Sequence, residues 1–571
     1  MRKKILYALF AATALMATSC ELDEKPYNMA DESSVAGGDV GTIEAITSGS
    51  YSFLKEEYYI KPMHYVGEFG GDNIALSGST TDNLMYLYNY QRIPDSYQTS
   101  YFWNRSYKII VNANKIISLA KEGTSEKVDQ FLGENYFLRG WLYFNLSNIF
   151  GRPYAQSPET NLSVPLKLSA SMDDFPARTT VKAVYEQVVK DLLKAEQLMN
   201  QDRGNIYASK TAAQALLSRV YLYMGENKLA EEYATKVIDS GKYSLLGAED
   251  YQKYSTFTPE ENSETIFAIK FVKDKDDLHW YSVGSMYANI DGIGWGEMYA
   301  SLPYRQLLDK NPSDIRHAFI EPQYILDGNG KKQYCFMFIE TVKNSAGVEQ
   351  RFFRFDKVTP ETVNGVTKYK LQATPKAPFK AYKDQYLAEE EGKLVLYAKQ
   401  AADAADFTRY EVAIDYLLAD RASYPKYYVN KCSRQEGQAQ LWSPVVLRLA
   451  EMYLNRAEAR AKQGNTGGAL QDVNVTRERA QIPAYTAVPQ GTDILDLVLE
   501  ERRIELAFEG HRKFDIFRNG KTLDRRYPGT HDRGTAAAVK LIVEPTDKAV
   551  IELIPQREIN AYPVPLVQNP L

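Results

Sequence analysis

The chain has 571 residues, of which 68 are Lys or Arg and 73 are Asp or Glu, for a formal net charge of −5. Its 44% hydrophobic and 25% charged residues are the composition of a folded chain, long enough for several ordinary domains or one large body. The acidic balance, with no basic stretch interleaved with aromatics, excludes nucleic acid as a partner, because that binding rests on basic patches that release counterions.

In chain order, Arg2, Lys3 and Lys4 precede a mostly apolar run from Ile5 to Ala17, and then come Thr18, Ser19 and Cys20. A basic start, a short apolar run and small residues are the pattern of a secretory signal over residues 1–19. At about 1.5 Å per residue the run cannot cross a bilayer core of about 30 Å. No later apolar run approaches the length needed. Removing residues 1–19, which carry three basic and no acidic side chains, takes the net charge from −5 to −8. The junction Ala17-Thr18-Ser19-Cys20 resembles the lipobox of bacterial lipoproteins, with Ala17 where Leu is usual. Cys20 is therefore the expected lipidation site, and a lipid the expected membrane attachment. Plain secretion, with Cys20 a spare thiol, is the alternative. Residues 20–41 read as a solvated tether. Its acidic start, Glu21 to Glu24, resembles the surface-export signal of some outer-membrane lipoproteins.

Folded structure is expected from about Thr42, where Ile43, Ile46, Tyr51 and Leu54 follow a helical period. Further helices are expected over Tyr101–Ala120, Val128–Phe150 and Val181–Met199, the second stopped by Gly151 and Pro153 and the last capped by Thr179-Thr180. Two later segments look like copies of one helix pair: Ala212–Tyr223 with Leu229–Asp239, and Val445–Lys462 with Ala469–Ala480. Gly225 precedes Ala230 by five positions and Gly464 precedes Ala469 by five, a spacing that matches a tetratricopeptide repeat. The segments near 128–199 and 494–520 are the expected additional pairs. Between the blocks, over about 250–440, alternating stretches such as Thr265 to Ile269 and Gln350 to Phe355 predict strands, with turns at Asp327 to Gly330 and at Asn364-Gly365. We read this region as a mostly irregular insertion with small β-hairpins.

No zinc, phosphate-loop, nucleophile-elbow or paired-cysteine motif occurs. The five His are not at ligand spacing, and Asp274, Asp276 and Asp277 lack the rest of a calcium loop, so neither a metal nor a cofactor is expected. Cys335 and Cys432 read as a pair or as two buried small side chains. The positive signal is aromatic: 42 Tyr against 23 Phe, a bias toward the ring that keeps one edge wet. Tyr86, Tyr88 and Tyr90 fall in a Tyr-rich stretch read largely as loop. Trp280, Tyr281, Tyr287 and Trp295 stand among Gly284, Gly292, Gly294 and Gly296. Flat rings on a loop stack on the apolar faces of sugars, so these seven are the candidate ligand residues, with structural bridging as the bland alternative. Trp103, Trp141 and Trp442 read as core. The densely charged run Glu500 to Gly510 reads as buried ion pairs locking repeats together, with an acid/base role for Glu505 or Glu509 as the alternative.

Several motifs together resemble the SusD/RagB family of cell-surface nutrient-capturing lipoproteins. They are Trp103-x3-Tyr107-x2-Ile110-x3-Asn114, Leu138-Arg139-Gly140-Trp141-Leu142-Tyr143-Phe144, and Leu447-Arg448-Leu449-Ala450-Glu451-x-Tyr453-Leu454-Asn455-Arg456-Ala457-Glu458-Ala459. To these add Glu501-Arg502-Arg503-x-Glu505-Leu506-x-Phe508-Glu509-Gly510-x-Arg512 and the closing Ile554-Pro555 to Asn569-Pro570. The resemblance spans essentially the whole chain. It implies a mainly α, SusD-like body of four tetratricopeptide-like helix pairs with a ligand-binding insertion. It also implies a non-catalytic role at the outer membrane, facing the exterior: capturing an oligosaccharide for a TonB-dependent, SusC-like transporter and closing over it as a lid. Peptide capture within the same family, a pure transporter scaffold, and a secreted glycosidase are the alternatives.

Overall fold

The computed structural model describes residues 35–78, 84–531 and 540–570. The expected leader, Cys20 and most of the tether lie outside the described residues.

The longer helices are α1 (Val40–Leu54), α2 (Glu57–Phe69), α3 (Tyr97–Leu119), α4 (Glu126–Phe150), α5 (Val181–Leu198), α6 (Lys210–Met224), α7 (Asn227–Asp239), α8 (Leu449–Lys462), α9 (Thr466–Arg479), α10 (Ile494–Glu505) and α11 (Arg512–Arg518). Asp39, Ser125, Thr180, Ser209 and Asn465 each cap a helix start, their side chains accepting from a first-turn N–H. Each such cap satisfies a donor the helix leaves orphaned and contributes about 1 kcal/mol. Gly225 and Gly464 turn the chain at φ +81° and +78°, the left-handed region that a side chain resists.

Helices α4 to α10 stack in succession, each against the next. The contact between α7 and α8 joins segments that the insertion separates, from Asp239 to Leu449. Fully buried Ala230, Ala234, Ala457 and Ala469 let the paired helices approach. Helix α10 also lies on α8, while α11 packs against α2. Ion pairs cross these contacts: Arg219 of α6 to Glu451 of α8 at 2.6 Å, and Arg502 of α10 to Asp515 of α11 at 3.0 Å. The charged run after residue 500 is buried. Glu505 meets Arg448 at 2.7 Å, Arg316 at 3.3 Å and Arg479, while Glu509 meets Lys431 at 2.6 Å and Arg448 at 2.8 Å. Burial alone would raise the Glu505 pKa; Arg479, Arg448 and Arg316 outweigh it and hold the carboxyl well below its usual range.

Three local readings are corrected. Residues Glu57–Phe69, for which no helix is expected from the sequence, form α2 despite Pro62 inside the helix, because ten of its residues are buried and tertiary packing offsets the missing N–H. The helix expected to start at Val445 begins at Leu449. Val445–Arg448 is instead a strand, paired antiparallel with Thr265–Ala268.

The third correction concerns the insertion, which is more ordered than a set of small hairpins. Its strands are β1 (Tyr334–Lys343), β2 (Glu349–Val363), β3 (Val366–Leu371), β4 (Ala381–Tyr382), β5 (Ala388–Glu390), β6 (Lys393–Lys399) and β7 (Thr408–Tyr416). They form one seven-stranded antiparallel sheet in the order β4-β6-β7-β1-β2-β3, with β5 also on β6. Asn364-Gly365 turns β2 into β3 with positive φ at both residues, as a tight hairpin requires. Phe336, Val358, Leu371, Phe379 and Leu396 give the sheet its own core. Cys335 and Cys432 are free, buried thiols in different clusters. Among the described residues, no helix is long and apolar enough to cross a membrane.

Candidate functional site

The exposed tryptophans among the described residues are Trp280 and Trp295, at 37% and 49%. Residues His279–Tyr281 form one short 3-10 turn, entered through backbone held by Asp276 and Asp277. Asp276 accepts from Val272 N–H at 2.9 Å and from Lys55 Nζ at 2.7 Å; Asp277 accepts from His279 N–H at 2.7 Å. The Asp276 and Asp277 carboxylates thus bind backbone and lysine within the turn. Among the described residues, no three His, Cys, Asp or Glu converge to hold a metal ion.

Trp295 follows a tight loop closed by reciprocal hydrogen bonds between Ile290 and Ile293, both 2.9 Å. Its N–H and that of Gly296 donate to Ser285 O at 2.7 and 3.0 Å. Buried Gln440 donates to Ala288 O and Ile293 O from below, at 3.0 and 2.8 Å, and Arg421 donates to Trp295 O at 3.2 Å while pairing with Glu297. The flanking glycines serve this loop. A Cβ on Gly294, at φ +109°, would run into Ala288 O, and one on Gly296 would press on the Tyr428 ring.

The indole Nε1 of Trp295 donates to Trp280 O at 3.2 Å, and the two rings stand 4.9 Å apart at 66°. Beside them Tyr281 is 58% exposed, with Lys61 Nζ 5.9 Å from its ring centre. The surface continues onto α2 and α3. Tyr58 stacks on Tyr101 at 4.5 Å, and its phenol pKa is raised by the Glu57 charge first, then by partial burial and by Tyr101 and Tyr281. The outcome is a fixed aromatic ridge with polar groups along it: two indoles, Tyr281, and the half-buried Tyr58 and Tyr101. Tyr58 and Tyr101 are not among the seven candidates drawn from the sequence; α2 and α3 bring them to the ridge.

Tyr287, Tyr88 and Tyr90 do not join this ridge. Tyr287 is fully buried, packed between Phe69 and Phe508, with its hydroxyl 2.8 Å from His64 Nε2. Tyr88 is also fully buried, stacked on His531 under the Arg525 guanidinium. Tyr90, 6% exposed, donates its hydroxyl to Gly70 O. All three are core rings, with the Tyr287 and Tyr90 hydroxyls meeting internal partners, and their burial removes them from the exposed candidates. Tyr86 is half-buried on the short helix Leu84–Asn89. Trp103, Trp141 and Trp442 are buried.

Similarity to known proteins agrees with this architecture. The sequence pattern described as "Starch-binding associating with outer membrane" matches residues 22–222, and that of the SusD family matches residues 263–571. The SusD-like proteins P38 and P2 of Formosa agariphila are each 24% identical to this chain, over 84% and 83% of it and 83% of their own lengths. A SusD superfamily protein from Bacteroides thetaiotaomicron superposes with a TM-score of 0.69 at 24% identity, covering 93% of this chain and 100% of its own. A laminarin-binding SusD-like protein superposes with a TM-score of 0.57 at 20% identity, covering 92% and 98%. The longer of the two pattern matches alone spans more than half of the residues, and the two lie between residue 22 and the last residue: the chain belongs to the SusD/RagB family.

Proposed function

We propose that this protein is a non-catalytic, lipid-anchored glycan-binding protein of the outer membrane. It captures oligosaccharide at the exterior and passes it to a partner TonB-dependent transporter, over which it acts as a lid. The observation that carries the glycan reading is the rigidly mounted pair Trp280 and Trp295, exposed beside Tyr281. Exposing two indoles and a phenol in one patch costs hydrophobic free energy that a soluble surface otherwise avoids, and sugar rings offset it by stacking while their hydroxyls stay solvated or hydrogen-bonded. Support for the cargo class also comes from the starch-binding description of the matching family pattern and from the laminarin-binding protein of the same fold. A relay has to release its cargo, so affinities of about −4 to −8 kcal/mol, millimolar to micromolar, suit the role. The test is calorimetric titration of the protein with a panel of oligosaccharides and peptides, followed by product analysis after long incubation. Saccharide binding without product supports the reading. Peptide binding alone, or appearance of cleaved glycan, overturns it.

A further inference from the structure

The charges bordering the aromatic ridge bear on which class of glycan it takes, an inference that rests on the ridge being the glycan site. The basic side chains that meet its rings or their backbone each have a carboxylate of their own. Lys61 Nζ stands 5.9 Å from the Tyr281 ring centre and 3.0 Å from the Glu57 carboxylate. Arg421 donates to Trp295 O at 3.2 Å and pairs with Glu297. Arg105, whose charge acts on the Tyr58 phenol, pairs with Glu56. Arg557, 5.8 Å from the Tyr101 ring centre, lies 3.7 Å from Glu558. The turn that carries Trp280 follows the same rule: Lys55 meets Asp276 at 2.7 Å, and His279 Nδ1 is 3.3 Å from Asp277. Asp291, exposed four positions before Trp295, adds a negative charge. The ridge is therefore bordered by opposed pairs and not by a field of one sign.

A uronate or sulfate laid against these rings would have to take Arg421 from Glu297, or Lys61 from Glu57. Glu297 is 6% exposed, and a carboxylate left there without its cation is costly. A hydroxyl needs no such exchange. It accepts from a guanidinium or ammonium N–H and donates to a carboxylate, and both groups keep hydrogen-bonding capacity beyond their mutual contact. It can thus bridge an ion pair and leave it intact. We infer that the ridge selects uncharged oligosaccharides, with Arg421–Glu297 and Lys61–Glu57 as its hydroxyl-binding edges, and rejects uronate-bearing and sulfated glycans.

The test is calorimetric titration of the full chain with neutral malto-, laminari-, xylo- and galacto-oligomers, and with acidic galacturonate, alginate and sulfated galactan oligomers. Each is run in about 50 and about 500 mM NaCl, since salt weakens attraction between charges and leaves neutral contacts alone. At least one neutral oligomer is expected to bind, changing less than about twofold between the two salts, with every acidic oligomer at least about tenfold weaker. Glu297→Gln frees Arg421 and removes no ring. In that variant, shown folded by its melting temperature, acidic oligomers are expected to gain about fivefold or more at low salt. An acidic oligomer that rivals the best neutral one and is lost in Trp295→Ala overturns the inference and leaves the ridge a glycan site. Absence of any acidic gain in Glu297→Gln overturns it as well. Glycan binding that survives the double change Trp280→Ala and Trp295→Ala, or no glycan binding at all, overturns the ridge itself and this inference with it.

Discussion

Trp295 is tied to Trp280 by its own ring nitrogen: the indole N–H donates to the Trp280 carbonyl at 3.2 Å, and the two ring planes meet at 66°. Each indole therefore fixes the other's position, and a sugar meets a surface that pays little ordering entropy on binding. Trp295→Ala is expected to weaken oligosaccharide binding by about 1–3 kcal/mol, or five- to 150-fold, as for loss of an aromatic anchor. Because the ring is 49% exposed, the melting temperature should stay nearly unchanged. Titration and thermal melts of the same preparation check both; a collapse in stability with affinity intact would make Trp295 a core residue.

Ala469, fully buried in the contact of α8 with α9, has no room for a longer side chain. Ala469→Leu should overpack this contact and cost about 1–3 kcal/mol. Denaturant unfolding is the measurement, and a midpoint equal to that of the wild type contradicts the packing described.

Glu505 is fully buried and accepts from Tyr251 OH at 2.9 Å as well as from its arginines. Glu505→Ala leaves Arg448, Arg479 and Arg316 short of their shared anion and should destabilise by about 3–5 kcal/mol. If Glu505 were instead a catalytic group, its loss would abolish turnover and leave the unfolding midpoint in place.

Glu68 supplies a pH dependence of opposite sign to that of the arginine-paired acids. Burial raises its pKa from 4.5 to about 7, although it accepts from Asn73 Nδ2 at 3.1 Å and Gly510 N–H at 3.0 Å. The folded state thus holds a proton that the unfolded state releases, so this group's contribution is full below pH 4.5 and is lost as pH rises through 7, a change of about 3 kcal/mol. Glu509, held at about 2 against the opposing effect of burial by Arg448 and Lys431, contributes stability above pH 4.5 that is lost as pH falls toward 2. Glu68→Gln should therefore flatten the stability profile between pH 5 and 8 and leave the acid limb unchanged. Melting temperatures across that range decide it, and an unaltered slope counts against an ionising Glu68.

Cys20→Ala tests the anchor expected from the Ala17-Thr18-Ser19-Cys20 junction. The variant should move from the membrane fraction to the soluble fraction. Unchanged fractionation would remove lipidation from the proposed function.

Much of the scaffold is legible along the chain because its signals are local. Apolar residues at three- and four-residue spacing, caps such as Thr180 and Ser209, and the reversing Gly225 and Gly464 act within one or two turns of the backbone. The charged run after residue 500 also declared itself, since so many periodic charges call for partners. The fate of each aromatic ring was decided elsewhere. Tyr281 and Tyr287 are six positions apart in one glycine-rich segment, yet one is exposed and the other is sealed by Phe69 and Phe508. Helix α2 formed around Pro62 because distant side chains bury it, and Tyr58 came to the ridge with it. Strand pairing in the insertion, and the closure of α7 onto α8, likewise join residues far apart in sequence. Periodicity and capping are properties of neighbours on the chain, whereas burial is a property of whatever the rest of the chain brings alongside. The sequence therefore determined the repeats and the family, and only the tertiary structure decided which rings stay exposed.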